Sequence, residues 1–386
     1  MSGVTFLGYG RPDGSAGVRN HVAVVSVMDN CNPVTRKVAE AVYGTIPVTT
    51  LFVRGQLGRD LDITLDTLAG LARNPNVAAV LLIGLEGAMT EALAKRIRPC
   101  GKTVASVVIQ QVGGTINAIA EGTRAAARLV REASRQRRAE FPLSKLVIGV
   151  ECGGSDTTSG LASNPAIGVV ADRVAAAGGT VIISETSEFF GAEHLFAERA
   201  RTPKVKADFL EAVQGFEREI MAHGIDLRGS NPTPDNILGG LTTIEEKALG
   251  AMAKAGKSPL VGVLAYGEAP REQGLHFMAT PAPAVESLTA LAAGGCQICL
   301  FSTGVGNPIG SMVSTTIKIS GNRNTVDFFA DNVDFDVTGV LERGEPLAEA
   351  GGRLGDYMLS VASGELTTSE VLDVRETCIS RFLPSM

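Results

Sequence analysis

The chain has 386 residues, of which 45% are hydrophobic and 20% are charged, so it is long enough for two α/β domains with sizeable cores. A net charge of -6, without a basic stripe interleaved with aromatic residues, argues against nucleic acid as a partner. No apolar stretch reaches the roughly 20 residues of a membrane span and no signal pattern opens the chain, so we predict a cytoplasmic protein that does not contact membranes.

The first third of the chain alternates short β-branched runs with helix-length segments. Such alternation is typical of a parallel sheet flanked by helices. The predicted strands are 21–28, 47–53, 78–83 and 103–109, and the predicted helices are 32–43, 61–73, 89–98 and 113–137. We therefore predict an N-terminal α/β domain over residues 1–142.

The same alternation restarts after Pro142 and predicts a C-terminal α/β domain over residues 143–386. Its predicted strands are 145–150, 180–184, 260–265, 297–302 and 314–319, and its predicted helices are 165–177, 191–201, 204–223 and 366–376. Residues 225–241 are rich in Pro, Gly and Asn, which indicates an ordered loop. The predicted fold class is thus α/β, with two Rossmann-like units whose parallel sheets are flanked by helices.

A polar, glycine-rich turn, residues 151–160, follows the first strand of the second domain. Its free backbone N–H groups could hold a carboxylate or a phosphate. The turn is neither a Walker loop nor a dinucleotide fingerprint. A tight turn in which Ser155 or Asp156 caps the next helix explains the same residues equally well.

Three carboxylates and one imidazole follow the predicted strand 180–184; they are Glu185, Glu188, Glu193 and His194. Such a cluster at the carboxyl end of a strand is typical of metal binding or proton transfer. Because Glu193 and His194 are adjacent, a helix would point at most one of them inward. A capped helix with solvated acids is the competing interpretation.

The six cysteines are scattered, so no disulfide framework is expected. Cys31 and Cys152 each stand where a predicted strand ends, which would suit a shared cleft, although a buried thiol is the commoner role. Cys296 and Cys299 form a C-x-x-C across a hydrophobic strand. We interpret that pair as core rather than as a redox or zinc site.

Other candidates for chemistry are isolated residues. His21 begins a strand and His276 is predicted to lie in a loop over 271–280; each could be a base or a structural histidine. Residues 302–310 form a second loop rich in backbone amides. Lys318 lies inside an apolar strand and needs a partner if it points inward.

Ten ordered stretches carry a resemblance to a known family. They are GYGRPDG (8–14), GVRN (17–20), NPNV (74–77), CGGSD (152–156), SG (159–160), NP (164–165), residues 179–185, GAEH (191–194), NP (231–232) and GLTTIEEK (240–247). From about Gly8 to about Phe382 the chain resembles the altronate and galactarate dehydratases, a family that also includes the large subunit of sulfolactate sulfo-lyase. The resemblance implies elimination of water or sulfite from a hydroxylated carboxylate to give a 2-oxo acid, commonly with divalent iron or manganese.

Four strand-end loops depart from the pattern of that family. This chain has residues 52–56 (FVRGQ) for His-x-x-Gly-Cys, 84–88 (GLEGA) for Gly-Leu-Gly-Cys-Glu, 278–281 (MATP) for Met-Asp-Thr-Pro, and 303–306 (TGVG) for Thr-Gly-Arg-Gly. These departures leave two alternatives open. The chain could be a non-catalytic or binding subunit, or a metal-independent lyase or isomerase with changed chemistry.

The leading prediction is a hydro-lyase that acts on a small hydroxy or sugar acid. The predicted catalytic residues are Cys152, Glu185, His194 and Lys318. The predicted substrate-binding residues are Arg19, Asn20, Gly153, Gly154, Ser155, Asp156, Thr303 and Gly304. The predicted ligands of iron or manganese, unless this member works without metal, are Cys31, Cys152, Glu188 and His194. Expected partners are a small hydroxy carboxylate, a separate small subunit that supplies the extra N-terminal domain of the larger dehydratases, and further copies of the chain in a homo-oligomer.

Overall fold

A computed structural model describes residues 3–225, 231–383 and 386. Two parallel sheets flanked by helices form its frame, which confirms the α/β class with two Rossmann-like units. Within the described residues, no helix combines the length and the apolar character needed to cross a membrane.

The N-terminal half holds a small antiparallel sheet and a four-stranded parallel sheet. The antiparallel sheet contains β1 (Thr5–Gly10), β2 (Ala16–Gly17) and β7 (Ala139–Pro142). The parallel sheet contains β3 (His21–Ser26), β4 (Thr45–Val48), β5 (Val77–Gly84) and β6 (Thr103–Val108), in the order β4-β3-β5-β6. Its helices are α1 (Asn32–Glu40), α2 (Gly58–Arg73), α3 (Gly87–Ile97) and α4 (Thr115–Ala133). The strand predicted at 47–53 ends early, because the chain turns into a loop where Val53 has a φ of 116°.

The C-terminal half is built on a seven-stranded, wholly parallel sheet. Its strands are β8 (Val147–Cys152), β9 (Thr180–Ile183), β10 (Leu260–Leu264), β11 (Gly274–Met278), β12 (Ile298–Ser302), β14 (Thr315–Ser320) and β15 (Phe335–Asp336). A separate parallel pair joins β13 (Gly310–Ser311) to β16 (Arg375–Glu376). The helices are α5 (Asn164–Ala176), α6 (Glu193–Ala197), α7 (Pro203–Ala222), α8 (Pro234–Leu238), α9 (Ile244–Met252), α10 (Ala284–Ala293), α11 (Arg323–Phe328), α12 (Gly339–Glu342), α13 (Leu347–Ala362) and α14 (Thr368–Val371).

The strand order places the functional loops. The large sheet runs β10-β11-β9-β8-β12-β14-β15, so the chain leaves β8 to one side towards β9 and returns on the other side at β12. In open α/β sheets, ligands bind in the crevice outside the carboxyl ends of strands where the order reverses in this way. The glycine-rich turn that follows β8 therefore lies at the expected place for a site.

Three predicted elements differ from the structure. His276 lies within β11 rather than in a loop, because this short strand pairs with β9 and β10 and is buried on both faces. The closing helix predicted at 366–376 is only α14, and the long helix of that region is α13. The predicted loop over 225–241 contains α8, while residues 226–230 of that prediction lie outside the described residues.

The two ends of the chain pack on opposite halves of the molecule. Phe6, Ala16 and Val18 belong to the core beneath the seven-stranded sheet. Ile379 instead packs in the core of the four-stranded sheet. The Asp60 carboxylate of α2 accepts hydrogen bonds from the backbone N–H groups of Phe382 (3.0 Å) and Leu383 (2.8 Å). The two halves are therefore joined by both chain ends as well as by the covalent connection.

Candidate active site

A cavity of roughly 540 Å³ opens at the carboxyl ends of β8 and β9. Its wall combines the glycine-rich turn 152–155, the turn after β9 with Glu185 and Glu188, α8 with Asn236, and Lys247 of α9. A larger cavity of roughly 710 Å³ lies between α2 and α7. The lining of that cavity includes Thr186 and Thr280 but none of Cys152, Glu185 and Glu188, so the smaller cavity is the better candidate for chemistry.

Three buried groups form the floor of the cavity. The Lys254 ammonium lies 3.0 Å from Cys152 Sγ and forms a salt bridge with Glu185. Glu185 Oε2 also accepts a hydrogen bond of 3.1 Å from the backbone N–H of Cys152, and Cys152 Sγ lies 3.6 Å from Glu185 Oε1. Both oxygens of Glu185 are thus already engaged by Cys152 and Lys254. We call Cys152, Glu185 and Lys254 the floor triad.

The charges of the floor triad follow from burial and proximity. Burial and the Glu185 carboxylate raise the pKa of Cys152 to about 12, against the opposing effect of Lys254, so the thiol keeps its proton at neutral pH. Burial lowers the pKa of Lys254, but Cys152 and Glu185 outweigh burial and leave that pKa above its ordinary value. The floor triad therefore presents a neutral thiol and a charged ammonium.

A second carboxyl group, Glu151, lies behind the floor triad. Its Oε2 accepts hydrogen bonds from Ser287 Oγ (2.6 Å) and Ser184 Oγ (3.0 Å). Burial, and then the negative charge of Glu185, raise the pKa of Glu151 well above its ordinary value. Burial and the Glu185 carboxylate thus both favour the neutral form of Glu151.

Glu185 adopts a left-handed backbone conformation, with φ 70° and ψ 68°. For a residue other than glycine this conformation is strained, and such residues cluster at functional sites. Thr280 holds the turn in place: its Oγ1 accepts from the Glu185 N–H at 2.9 Å, and its carbonyl accepts from the Thr186 N–H at 2.9 Å. Thr280, just beyond the end of β11, thereby fixes the direction in which the Glu185 side chain points.

A second lysine–carboxylate pair lies in the cavity wall. Lys247 Nζ lies 3.0 Å from Glu188 Oε1 and donates to Asn231 Oδ1 at 2.7 Å. Glu188 is only 5% exposed, yet its Oε2 has no hydrogen-bond partner among the described residues. A buried carboxylate oxygen without a partner costs free energy, so this oxygen is able to take a partner that enters the cavity.

The glycine-rich turn is shaped by steric need. A Cβ on Gly153 would lie 2.8 Å from the Phe301 ring, and Gly154 has a φ of +64°, so both positions require glycine. Ser155 lines the cavity. Asp156 accepts hydrogen bonds from the Ser159 backbone N–H and the Asn322 side chain, and it does not line this cavity.

Two other pairs of predicted substrate-binding residues are structural. Arg19 makes a buried, bidentate salt bridge with Glu370 (2.7 and 2.8 Å), and Asn20 bridges Arg11 and the carbonyl of Ala133. All five N–H groups of the Arg19 guanidinium are bonded within the protein, and neither Arg19 nor Asn20 lines the cavity. Thr303 and Gly304 brace the glycine-rich turn from behind, and the Gly304 N–H donates to the Gly154 carbonyl at 3.0 Å.

Three further predicted site residues lie away from the cavity. His194 is exposed on α6, because that helix turns Phe196 and Ala197 into the core instead. Cys31 is buried in the core of the four-stranded sheet, and burial raises its pKa to about 11. Lys318 is fully buried, with Nζ 3.2 Å from the centroid of the Phe301 ring, so it cannot touch a ligand in the cavity.

The remaining cysteines and histidines have structural positions. Cys296 and Cys299 are both fully buried, as the core interpretation predicts. His21 is half-buried at the start of β3, and this burial lowers its pKa to about 4. His276 Nε2 lies 2.9 Å from the carbonyl oxygen of Glu272. Neither histidine lines the cavity.

His194→Gln is expected to leave turnover unchanged, because the imidazole is exposed and lies outside the cavity wall. Steady-state kinetics of the variant beside the wild type checks this expectation. A loss of kcat beyond about tenfold would return His194 to the catalytic residues.

Sequence reasoning missed both lysines of the site. Lys247 ends the GLTTIEEK stretch, and Lys254 follows it in the turn after α9. Their spacing of seven residues puts both side chains on one face of a helix, which is a signal that could have been used. Thr280 and Asn236 were also missed, because the sequence around each of them gives no signal that the residue lies at the site.

The donor set does not fit the divalent metal that the resemblance implies. In the parts of the chain that the structure describes, no three His, Cys, Asp or Glu side chains are grouped so as to hold a metal ion. Of the predicted ligands, Cys152 has the Lys254 ammonium against its sulfur and Glu188 is paired with Lys247. At positions where this chain departs from the family pattern, Phe52, Ala279 and Val305 have no side-chain atom that could coordinate a metal.

Two known family models together match nearly the whole chain. Family models described as D-galactarate/altronate dehydratase, C-terminal, and D-galactarate dehydratase/altronate hydrolase, second domain, match residues 143–385 and 8–134.

Three curated relatives match along the chain. The (2R)-sulfolactate sulfo-lyase subunit beta of Chromohalobacter salexigens is 41% identical, with 100% of this chain and 99% of that protein covered. Altronate dehydratase of Bacillus subtilis is 34% identical, covering 97% and 77%, and galactarate dehydratase (L-threo-forming) of Escherichia coli is 30% identical, covering 95% and 74%. These matches confirm the resemblance read from the motifs. The chain belongs to the D-galactarate/altronate dehydratase family of lyases.

Proposed function

We propose that this chain eliminates water from a small hydroxy carboxylate to give a 2-oxo acid. The observation that carries the proposal is that one cavity brings together a carboxylate with a free oxygen, Glu188, and a protonated thiol, Cys152. Elimination needs such a pair, because one group must accept a proton while another donates one. The dehydratases among the relatives support the same reaction class.

The first half of the reaction is removal of the proton next to the carboxylate. Glu188 Oε2 accepts the proton from C2 of the substrate, since its other oxygen is held by Lys247. The Lys247 ammonium is paired with Glu188 and donates a hydrogen bond to Asn231, and it has a further N–H available for the substrate carboxylate. That positive charge stabilises the enediolate as negative charge develops on the carboxylate.

The second half is departure of the hydroxyl from C3. The electron pair of the former C2–H bond forms the C2=C3 bond, the C3–O bond breaks, and the Cys152 thiol protonates the leaving oxygen to give water. The thiolate that remains is stabilised by Lys254, 3.0 Å from the sulfur. The enol product then tautomerises to the 2-oxo acid, and Cys152 recovers a proton as Glu188 loses one.

A second candidate reaction is elimination of sulfite. It is favoured by the relative named (2R)-sulfolactate sulfo-lyase subunit beta, of which the chain covers 99%. Sulfite is a weaker base than hydroxide and leaves without being protonated, so this reaction depends less on an acid such as Cys152. Cys152→Ser would therefore slow loss of water far more than loss of sulfite.

The name of the same relative also supports a partner. A protein called subunit beta works beside at least one other subunit, so we propose that this chain binds a separate small subunit as well. Copies of the chain in a homo-oligomer remain part of the proposal. Size measurement of the chain purified alone and co-purified with candidate small subunits tests both.

The function is tested by release of 2-oxo acid from a panel of sugar acids, short hydroxy acids and sulfolactate under anaerobic conditions. Release from sugar or hydroxy acids supports the dehydratase, and release of sulfite with pyruvate supports the second candidate. Thermal stabilisation by a panel acid without any product would contradict both and indicate a binding subunit.

A further inference from the structure

Each carboxylate of the cavity has its own lysine. Glu185 is paired with Lys254 and Glu188 with Lys247, and the two lysines are two helical turns apart at the end of α9. Lys254 is fully buried and Lys247 is 9% exposed. One helix and the turn that directly follows it thus deliver two positive charges to a site whose acids would otherwise repel each other.

Lys254 occupies the space that a metal ion bound to Cys152 would need. A metal ion binds a thiolate sulfur at about 2.3 Å, whereas here an ammonium nitrogen lies 3.0 Å from Cys152 Sγ and also engages Glu185. Lys254 cannot swing into solvent, because it is fully buried. A divalent ion at Cys152 would therefore have to displace a buried charge that already neutralises the same ligands.

We propose that in this chain Lys247 supplies the positive charge that the resemblance assigns to iron or manganese, while Lys254 holds Cys152 and Glu185 in place, so that elimination needs no metal. The proposal rests on the function proposed above. Lys247 is the group that contacts the substrate carboxylate, since it lines the cavity. Lys254 is a positioning residue, because it lies beneath Cys152 and does not line the cavity.

The first test compares the whole chain, with its partner subunit if it has one, before and after dialysis against a chelator. Metal content is measured by mass spectrometry and turnover on the substrate found above. We expect turnover to stay within about twofold of the untreated enzyme. Loss of turnover after chelation, restored by Fe²⁺ or Mn²⁺ but not by Mg²⁺, would overturn the proposal while leaving the proposed function intact.

The second test does not depend on turnover. Co²⁺ bound to a thiolate gives a charge-transfer absorption, so the wild type and Cys152→Ser are titrated with Co²⁺ alone. We expect the wild type and Cys152→Ser to give the same spectrum, without a charge-transfer band that depends on Cys152. A band that disappears in Cys152→Ser would place a metal on this sulfur and overturn the proposal, even if every substrate of the panel failed.

The third test separates charge from structure at Lys247. Lys247→Arg keeps the positive charge, and Lys247→Met removes it with little change in volume. We expect Lys247→Met to raise KM and lower kcat, together by about 10²–10³-fold in kcat/KM, and Lys247→Arg to recover part of that loss. Equal activity of the wild type and Lys247→Met would overturn the proposal.

Discussion

Glu188→Gln is expected to lower kcat by about 10²–10⁴-fold, the range that a general base contributes. The substitution keeps the size of the side chain and an oxygen that can still accept from Lys247, but it removes the oxygen that takes up the substrate proton. Initial rates of 2-oxo acid release at saturating substrate measure the effect. Ligand binding, followed by thermal shift, should change much less than kcat.

The matched control is Glu198→Gln. Glu198 follows α6, and its carboxylate forms an exposed ion pair with Lys206, an interaction of little energetic value. We expect this variant to keep wild-type kcat. If Glu188→Gln were as active as Glu198→Gln, the proton would be accepted by another group and Glu188 would lose its role.

Lys254→Met is expected to lower the free energy of unfolding by about 3–5 kcal/mol, the usual cost of removing one partner of a buried ion pair. The Glu185 carboxylate would be left buried with only the backbone N–H of Cys152 and the thiol as partners. Denaturant unfolding followed by circular dichroism measures the change as a shift of the midpoint.

Two further variants isolate the reason for that loss. Lys257→Met replaces an exposed lysine three residues later and should be nearly neutral. The double variant Lys254→Met with Glu185→Gln removes both charges, so it should be more stable than Lys254→Met alone. A double variant that is no more stable would show that packing, rather than the unpaired charge, explains the loss.

Much of the framework was predictable because strand and helix patterns are local. The parallel strands of both sheets gave clear β-branched runs, and residues placed directly after a strand, such as Cys152 and Glu185, could be assigned to the site from sheet geometry alone. Glu188 also lines the cavity, three residues beyond Glu185. These predictions needed only the position of a residue relative to its own strand.

The failures concern residues whose role depends on distant contacts. Lys254 lies about a hundred residues from Cys152 in sequence, and nothing local shows that its ammonium is buried. His194 was assigned to the site because it belongs to a cluster of acids after a strand, but the buried residues of the short α6 are Phe196 and Ala197. Arg19 was assigned to a substrate from its motif, although its partner Glu370 is near the other end of the chain.

Each end of the chain packs in the core of the opposite half, which limits how the protein can be divided into fragments. An isolated C-terminal half would lack Phe6, Ala16 and Val18 from its core, and an isolated N-terminal half would lack Ile379 and the backbone partners of Asp60. Limited proteolysis at either terminus would therefore weaken the half of the molecule at the other end of the sequence. The two halves therefore depend on each other. To express one half separately, the chain end that packs in its core would have to be added to it as a peptide.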